Sequence, residues 1–269
     1  MNVHTLNERG DGVDSTEHPL IIGYNAALQD IPGLNTAPRA PPLSGIPLTT
    51  AEVFRPSAEA DTPITLFTHH ASEHTIRYCH PGAHRLVRRF VTDPREILIY
   101  TSGSCFDQRD ATESPKLIAG CAFVYKPPPY PKTSCQFRLE NRGPTEVHPL
   151  TKRRAELRAA LGALAFRKWS GEGWLKVVIA TDSNYVVFGA TEKIEDWAEE
   201  GWKTEADSPV EDVDLWKMLL AEINTLAGNG VEVAFWRIPR ELNLADSPAK
   251  EAEMGEERTE YSMVIGVGV

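Results

Sequence analysis

Three carboxylate residues stand where secondary-structure elements are expected to begin or end. Asp182 follows a strand that reads as buried, Glu156 lies in the first turn of a helix, and Asp246 opens the last helix. Acids at strand ends and helix starts, where a sheet opens to solvent, are well placed to converge on hard cations. Each acid alone has a simpler explanation, because Glu156 and Asp246 can favour helix N-termini electrostatically and Asp182 can be an N-cap. A shared site is therefore a hypothesis that needs all three together.

The elements around these acids predict an α/β domain. Three β-rich runs, typical of an antiparallel meander, occupy 97–101, 118–126 and 135–143. The later elements are a helix at 152–169, a strand at 175–181, helical turns at 183–200, a helix at 213–227, a strand at 231–238 and a last helix from 245. The first of these helices is predicted as amphipathic from Leu157, Leu161 and Leu164. Because βα alternation requires parallel strands, we expect a five-stranded mixed sheet, three antiparallel strands and then parallel additions, with helices on both faces.

Composition divides the rest of the chain. Residues 1–60 are polar and rich in Pro, and we expect disorder there. Residues 61–93 are rich in His and are expected to pack as an extension on the domain at 94–256, which a C-terminal tail at 257–269 follows. A zinc site is conceivable on spacing alone from His69, His70, His74, Cys79, His80 and His84. Their order matches no closed zinc site, so a polar His-rich surface is the favoured interpretation.

The overall charge is unfavourable for binding phosphates. The 269 residues carry a formal net charge of −10, so nucleic-acid binding would depend on a local basic patch. The four cysteines show no disulfide framework, and no apolar run is long enough to span a bilayer. We therefore expect a soluble intracellular protein with reduced thiols, in a compartment that the sequence does not distinguish.

Seven strings resemble, in order and in spacing, the motifs of the ribonuclease H type 1 family. They are IYTSGSC (99–105), AGCAFVY (119–125), RRAELRAALGAL (153–164), ATDSNYVVFGAT (180–191), EEGWKT (199–204), VDLWKML (213–219) and FWRIP…ADSPAK (235–250). The resemblance covers roughly 94–256 and implies an RNase H-like fold.

The resemblance also implies a mechanism. In this family four carboxylates hold two Mg²⁺ ions (or Mn²⁺) about 4 Å apart, which activate water for hydrolysis of RNA paired to DNA. Glu156, Asp182 and Asp246 match three of the four positions and are the implied metal ligands and catalytic residues. The fourth position, which bridges both metals in the family, is Ser102 here. A neutral hydroxyl is a poor Mg²⁺ ligand, so this degenerate position predicts that at least one metal site is weakened.

Two further departures point in the same direction. The family usually carries a histidine in a flexible loop before the last acid, whereas residues 237–243 are short and contain none. The family often holds the hybrid with a basic, Trp-bearing segment, whereas residues 192–214 contain ten acids and two lysines. Such a segment would repel a phosphate backbone and would favour a protein partner, although a solvated acidic helix face is an equally good interpretation.

Substrate-side positions survive in part. By resemblance, the residues expected to contact the hybrid are Asn184, Arg153, Arg154, Cys105, Gln108, Trp202 and Lys203. Of these, Asn184 matches a minor-groove contact, and the two arginines could bind phosphates. Basic side chains at a helix start can equally be solvated.

Three hypotheses follow. The first is an RNase H-family protein, by resemblance an endonuclease of RNA–DNA hybrids, whose cleavage is impaired or absent because of Ser102. The second is a non-catalytic RNase H-like module that binds nucleic acid or a protein partner. The third is an active hydrolase with one metal site rebuilt around Asp107 or a substrate phosphate. Cleavage of a hybrid by this chain and by its Ser102→Asp variant would separate them.

Overall fold

A computed structural model describes residues 19–23, 48–69, 84–88, 95–108, 116–126, 128, 133–143 and 146–266. The strands are β1 (Pro19–Gly23), β2 (Glu52–Val53), β3 (Phe67–His69), β4 (Leu86–Arg88), β5 (Glu96–Gln108), β6 (Lys116–Val124), β7 (Ser134–Arg138), β8 (Lys176–Thr181), β9 (Glu232–Arg237) and β10 (Ser262–Gly266). The α-helices are α1 (Pro63–Leu66), α2 (Lys152–Ala165), α3 (Asn184–Phe188), α4 (Ile194–Glu199), α5 (Val213–Gly228) and α6 (Asp246–Ala252). A π-helical turn, Gly189–Lys193, joins α3 to α4. None of the described helices is long and apolar enough to cross a membrane.

The central sheet has the order β7-β6-β5-β8-β9. Strands β5, β6 and β7 pair antiparallel, whereas β8 and β9 run parallel to β5. The predicted RNase H-like fold class, with a mixed sheet and helices, is confirmed. Three short strands enlarge the sheet to eight: β2 lies beside β9, and the β3–β4 pair lies beside the first part of β5. With two or three residues each, these strands are too short for the alternation of apolar residues that predicts a strand.

The two faces of the sheet carry separate apolar cores. Along β5, Ile97 and Ile99 belong to the core that includes α2 and α5, whereas Leu98 and Tyr100 belong to the opposite core. This alternation follows from the two-residue period of a strand. Strand β8 is buried from Val177 through Thr181, as is typical of a parallel strand covered on both faces.

Residues 48–54 pack on the central sheet. Ala51 is buried, and the backbone N–H of Phe54 donates to the carbonyl of Phe235 in β9 at 2.8 Å. Residues 48–54 thus belong to the folded domain and not to the disordered segment predicted for 1–60. In the extension predicted for 61–93, Leu66, Phe67 and Leu86 join the second core, and Arg85 is buried against Glu172.

Helix α2 is buried on all sides, unlike the one-sided helix that the leucine spacing predicts. Every residue from Arg154 to Leu164 is buried. The helix lies between the sheet, α5 and strand β10, which forms a two-stranded ribbon with β1. The predicted C-terminal tail at 257–269 therefore includes a strand. Arg158 in α2 donates to the carbonyl of Ser262 at 2.6 Å and to Glu140 at 2.9 Å, which accounts for its burial.

Candidate active site

Four elements bring the predicted catalytic residues together at one end of the sheet. Ser102 lies within β5, Glu156 in the second turn of α2, Asp182 directly after β8, and Asp246 at the first residue of α6. Gly103 permits the close approach of β5 to α2, because a Cβ atom at this position would lie 2.2 Å from the backbone nitrogen of Glu156. The sheet therefore places Ser102, which is 3% exposed, beside the helix that carries Glu156.

Asn243 links three of these elements, although the sequence analysis assigned it no role. Its amide nitrogen donates to the carbonyl of Thr101 in β5 at 3.0 Å and to Asp182 Oδ1 at 2.7 Å. Its carbonyl accepts from the backbone N–H of Asp246 at 3.1 Å. Asn243 therefore orients Asp182 and fixes the start of α6 against β5. An asparagine three residues before a helix-opening aspartate, in a short loop, was the available signal.

Glu156 is a buried carboxylate with two partners of its own chain. Ser183 Oγ donates to Glu156 Oε2 at 2.6 Å, and Lys152 Nζ lies 3.3 Å from Glu156 Oε1. Burial raises the pKa of Glu156 above its ordinary value. The bonds from Ser183 and Lys152 partly offset this rise, and the neighbouring charge of Asp182 adds to it. Glu156 and Asp182 line the same depression, which places the two carboxylates in one site.

Asp246 is held by two cations. Its Oδ1 accepts from Arg240 Nε at 3.0 Å and lies 2.9 Å from Arg240 Nη2, and its Oδ2 accepts from Lys250 Nζ at 2.6 Å. Partial burial would raise the pKa of Asp246, but the bonds and charges of Lys250 and Arg240 hold it below its ordinary value. Both oxygen atoms of this carboxylate therefore have internal partners.

The side chains as placed do not fit a two-metal site. Among the residues that the structure describes, no group of three or more His, Cys, Asp or Glu is arranged to hold a metal ion. Glu156 and Asp246 are paired with lysine and arginine, Asp182 accepts from an amide, and the fourth position is Ser102. Asp107 lies five residues further along β5, about 16 Å away at the usual rise per residue. It is thus remote from the position of Ser102.

A depression of about 510 Å³ opens beside Glu156 and Asp182. Lys152 and Arg153 line one part of it, and Asn184, Tyr185 and Phe188 of α3 line another. Its chemistry is therefore mixed: cationic and aromatic walls adjoin the two carboxylates.

The two arginines predicted to bind phosphate have different surroundings. The Arg153 side chain is 64% exposed, pairs with Glu211 at 3.3 Å and lies 5.4 Å from the ring centroid of Tyr185. The Arg154 side chain is 2% exposed. It donates to both oxygens of Asp214, at 2.9 and 2.7 Å, and to Asp212 at 3.0 Å. Arg154 is therefore turned into the protein, and the expectation that it contacts a phosphate is wrong for this structure.

The two acids that pair with Arg154 have pKa values shifted in opposite directions. Burial raises the pKa of Asp212, which accepts one bond from Arg154. Burial would also raise the pKa of Asp214, but its two bonds from Arg154 and the charge of His148 hold it below its ordinary value. Part of the acidic segment at 192–214 is thus internal structure at the start of α5 and not exposed surface.

The remaining predicted contact residues do not line the depression. Cys105 lies on β5 with its Sγ 3.7 Å from the carbonyl of Leu150, and burial raises the pKa of its thiol. Gln108 is the last residue of β5, opposite Lys116. Trp202 packs partly buried against the core, and Lys203 is engaged with Asp207 at 2.6 Å.

Most of the proposed zinc ligands lie outside the described residues. His69 is the last residue of β3 and pairs with Leu86 of β4, and the carbonyl of His84 accepts from Arg85 Nη1 at 2.8 Å. Residues 70–83, which contain His70, His74, Cys79 and His80, are not among those described. The zinc hypothesis therefore stays at the level of the sequence.

Comparison with known proteins gives the family. Residues 94–235 match the RNase H family model. A ribonuclease H of Enterobacter sp. is 46% identical over 77 residues, which is 29% of this chain and 47% of that protein. A ribonuclease H of Pseudomonas paraeruginosa is 33% identical over 129 residues, which is 48% of this chain and 74% of that protein. The chain thus spans about half the length of the first relative and three-quarters of the second.

Solved structures are more distant. The solution structure of the PFV RNase H domain is 20% identical, with 58% of this chain and 93% of that chain covered and a TM-score of 0.42. The crystal structure of LC9-RNase H1, a type 1 RNase H with the type 2 active-site motif, is 23% identical, with coverage of 58% and 68% and a TM-score of 0.36. From the family match over 94–235 and the Pseudomonas relative, the chain belongs to the ribonuclease H family, and its motifs are consistent with type 1.

Proposed function

We propose that this protein binds RNA–DNA hybrids as members of its family do, and that its cleavage of the RNA strand is impaired or absent. The observation that carries the second part is Ser102, which stands within β5 between elements that bear the remaining carboxylates. The family match ends at residue 235, so the assignment of Asp246 rests on the motif and on the geometry around Asn243.

The charge balance of the site supports impairment. Ribonucleases H generally use divalent metal ions, and a neutral hydroxyl at the bridging position removes one anionic ligand. The three carboxylates that remain, Glu156, Asp182 and Asp246, have a combined formal charge that Lys152, Arg240 and Lys250 cancel. Little net negative charge is left to attract two dications, so we expect Mg²⁺ or Mn²⁺ to bind weakly.

The internal ion pairs alone would not block a metal. Lys152, Arg240 and Lys250 are about half exposed, so water can solvate them when a dication displaces them from the carboxylates. A dication held by four carboxylates would displace such cations. With Ser102 in place of one carboxylate, the competition shifts toward the internal pairs. The serine is therefore the decisive change, and the cations strengthen its effect.

Hybrid binding is supported by the basic and polar part of the depression. Lys152 and Arg153 have exposed side chains at its rim, and Asn184 lies at the start of α3 within it. Lysine and arginine can bind backbone phosphates, whereas an amide can bond to sugar or base edges. The net charge of −10 makes this binding weak and dependent on salt.

The test is a cleavage and binding experiment on three proteins: the parent chain, Ser102→Asp, and Ser102→Asn as a control of similar size without the charge. An end-labelled RNA–DNA hybrid is incubated with Mg²⁺ or Mn²⁺, and fluorescence anisotropy measures binding in EDTA. Titration calorimetry with the metal alone gives a readout that is independent of turnover. We expect all three proteins to bind hybrid, and only Ser102→Asp to cleave it and to gain measurable metal affinity.

Each other outcome contradicts part of the proposal. Cleavage by the parent at the rate of Ser102→Asp would refute impairment and favour a rebuilt metal site. Binding without cleavage by Ser102→Asp would show that Ser102 is not the sole cause. Failure of all three to bind hybrid would refute the nucleic-acid function, leaving the alternative of a module that binds a protein partner through residues 192–214.

A further inference from the structure

Phe188 is an exposed aromatic side chain in a polar setting. It is the last residue of α3, it is 47% exposed, and its side chain lines the depression beside Glu156 and Asp182. Its neighbours Val186 and Val187 are buried and already supply the packing of α3 on the core. Single exposed apolar side chains are common on protein surfaces. Phe188 differs from the other exposed apolar residues in that it lines the depression beside two carboxylates, where its ring can contact a ligand.

The backbone that carries Phe188 is firmly placed. The next residue, Gly189, is pressed against Trp216, because a Cβ atom at this position would lie 2.3 Å from the indole ring. Trp216 Nε1 in turn donates to the hydroxyl of Tyr185, one turn earlier in α3, at 2.9 Å. Directly after Phe188 the helix adopts the π-helical turn Gly189–Lys193, a distortion that is frequent at functional sites. The Phe188 ring is therefore presented from a rigid base.

The lining of the depression also includes two cationic side chains. The side chains of Lys152 and Arg153 are 51% and 64% exposed and pair with Glu156 and Glu211, both at 3.3 Å. The Arg153–Glu211 pair is exposed on both sides and weak, and the exposed ammonium group of Lys152 can also reach an anionic group. A ligand that contacts both the Phe188 ring and these two cations carries a flat aromatic system and an anionic group. A nucleotide has this combination, and the volume of about 510 Å³ accommodates one.

A base stacks on a protein ring only where one of its faces is free. Within a continuous duplex both faces of each base are covered by neighbouring base pairs, whereas unpaired bases stack readily on aromatic side chains. We infer that the depression binds an unpaired nucleotide at the end of a nucleic-acid strand, with its base on Phe188 and its phosphate at Lys152 and Arg153. This inference rests on the proposed nucleic-acid function and names the feature of the ligand that the site prefers.

The experiment compares three ligands by fluorescence anisotropy in EDTA: a blunt RNA–DNA hybrid, the same hybrid with two unpaired 3′ nucleotides on the RNA strand, and the same with two on the DNA strand. The proteins are the parent, Phe188→Ala, Phe188→Leu and Phe188→Trp. Met254→Ala is the matched control, since Met254 is an exposed apolar residue that does not line the depression. Circular dichroism verifies that each variant is folded.

We expect the parent to bind at least one overhang more tightly than the blunt hybrid. Phe188→Ala should weaken overhang binding about 5-fold to 150-fold, the range for loss of one base–aromatic stack. Phe188→Leu should behave like Phe188→Ala, Phe188→Trp should restore affinity, and Met254→Ala should match the parent. The strand whose overhang responds identifies the source of the nucleotide.

Two outcomes would overturn the inference while leaving the proposed function intact. The first is equal affinity of the parent for blunt and overhanging hybrids. The second is an equal loss for both ligands in Phe188→Ala, which would assign Phe188 to the duplex itself. If the parent binds none of the three ligands, the proposed function fails together with the inference.

Discussion

Arg153 and Arg154 are adjacent in sequence, and we predict that replacing them has opposite consequences. Arg154→Ala should destabilise the protein strongly, whereas Arg153→Ala should leave stability nearly unchanged and weaken hybrid binding. The reason is their exposure: the Arg154 side chain is 2% exposed and that of Arg153 is 64% exposed. Each variant is the matched control for the other, because the residue type and the substitution are the same.

The loss of stability expected for Arg154→Ala follows from the acids that would remain without their partner. Asp212, which is buried, and Asp214, whose side chain is 9% exposed, would lose the guanidinium that donates three bonds to them. Breaking a buried ion pair by removing one partner costs about 3–5 kcal/mol, because the remaining charge is buried without compensation. The stability of Arg154→Lys should fall between those of the parent and Arg154→Ala. Its ammonium group keeps the charge but cannot donate to both oxygens of Asp214 in the same planar geometry.

The magnitude for Arg153 follows from exposure and from phosphate binding. Its pair with Glu211 is solvent-exposed, so the free energy of unfolding should change by about 0–1 kcal/mol. If Arg153 neutralises one phosphate, its removal lowers the slope of log affinity against log salt by about 0.9. Urea unfolding measures the first quantity, and hybrid binding between 50 and 200 mM salt, about the range over which such slopes are resolved, measures the second.

The reasoning would be refuted by either of two results. An Arg154→Ala variant within about 1 kcal/mol of the parent would mean that the buried pair contributes far less than pairs of this kind usually do. An Arg153→Ala variant with parental affinity and salt slope would remove Arg153 from the proposed phosphate contact. If Arg154→Ala does not fold, Arg154→Lys still supplies the comparison.

Two further predictions concern stability. Burial would raise the pKa of Glu172, but Arg85, Trp174 and Arg167 hold it below its ordinary value of 4.5. The stability that Glu172 contributes is therefore present above about pH 4.5 and is lost as the pH falls through its lowered pKa. Glu172→Gln should lower the free energy of unfolding at pH 7 and flatten its pH dependence below pH 4.5, both measured by urea titration. A variant whose stability falls with acid as steeply as that of the parent would contradict this. Gly189→Ala should cost about 1–3 kcal/mol in urea unfolding because its methyl group would overlap the Trp216 ring, and a variant as stable as the parent would show that the ring gives way.

The fold was predictable where apolar patterning runs long enough. Strand β8 is a continuous apolar run and α5 a clear helical repeat, and both lie within one or two residues of their predicted positions. The short strands β2 to β4 escaped prediction because a strand of two or three residues has no measurable period. The apolar spacing in α2 indicated one buried face. Burial of the other faces depends on β10, a tertiary contact that local sequence does not encode.

The positions of the acids in the site could be predicted from the sequence, whereas the residues that contact them in the folded protein could not. Motif order placed Glu156, Asp182 and Asp246 near the ends of elements, because such positions are local properties of the chain, and their catalytic role stays a prediction. Asn243 and the burial of Arg154 depend on elements that meet only in the folded state: Asn243 bonds to a residue 142 positions earlier, and Arg154 pairs with acids about sixty positions later. An arginine beside an acidic motif is therefore ambiguous in sequence, since solvated, substrate-binding and buried arginines are the same residue type. The acids that oppose it resolve the ambiguity here, because the segment that reads as a phosphate-repelling surface supplies, at Asp212 and Asp214, the internal partners of Arg154.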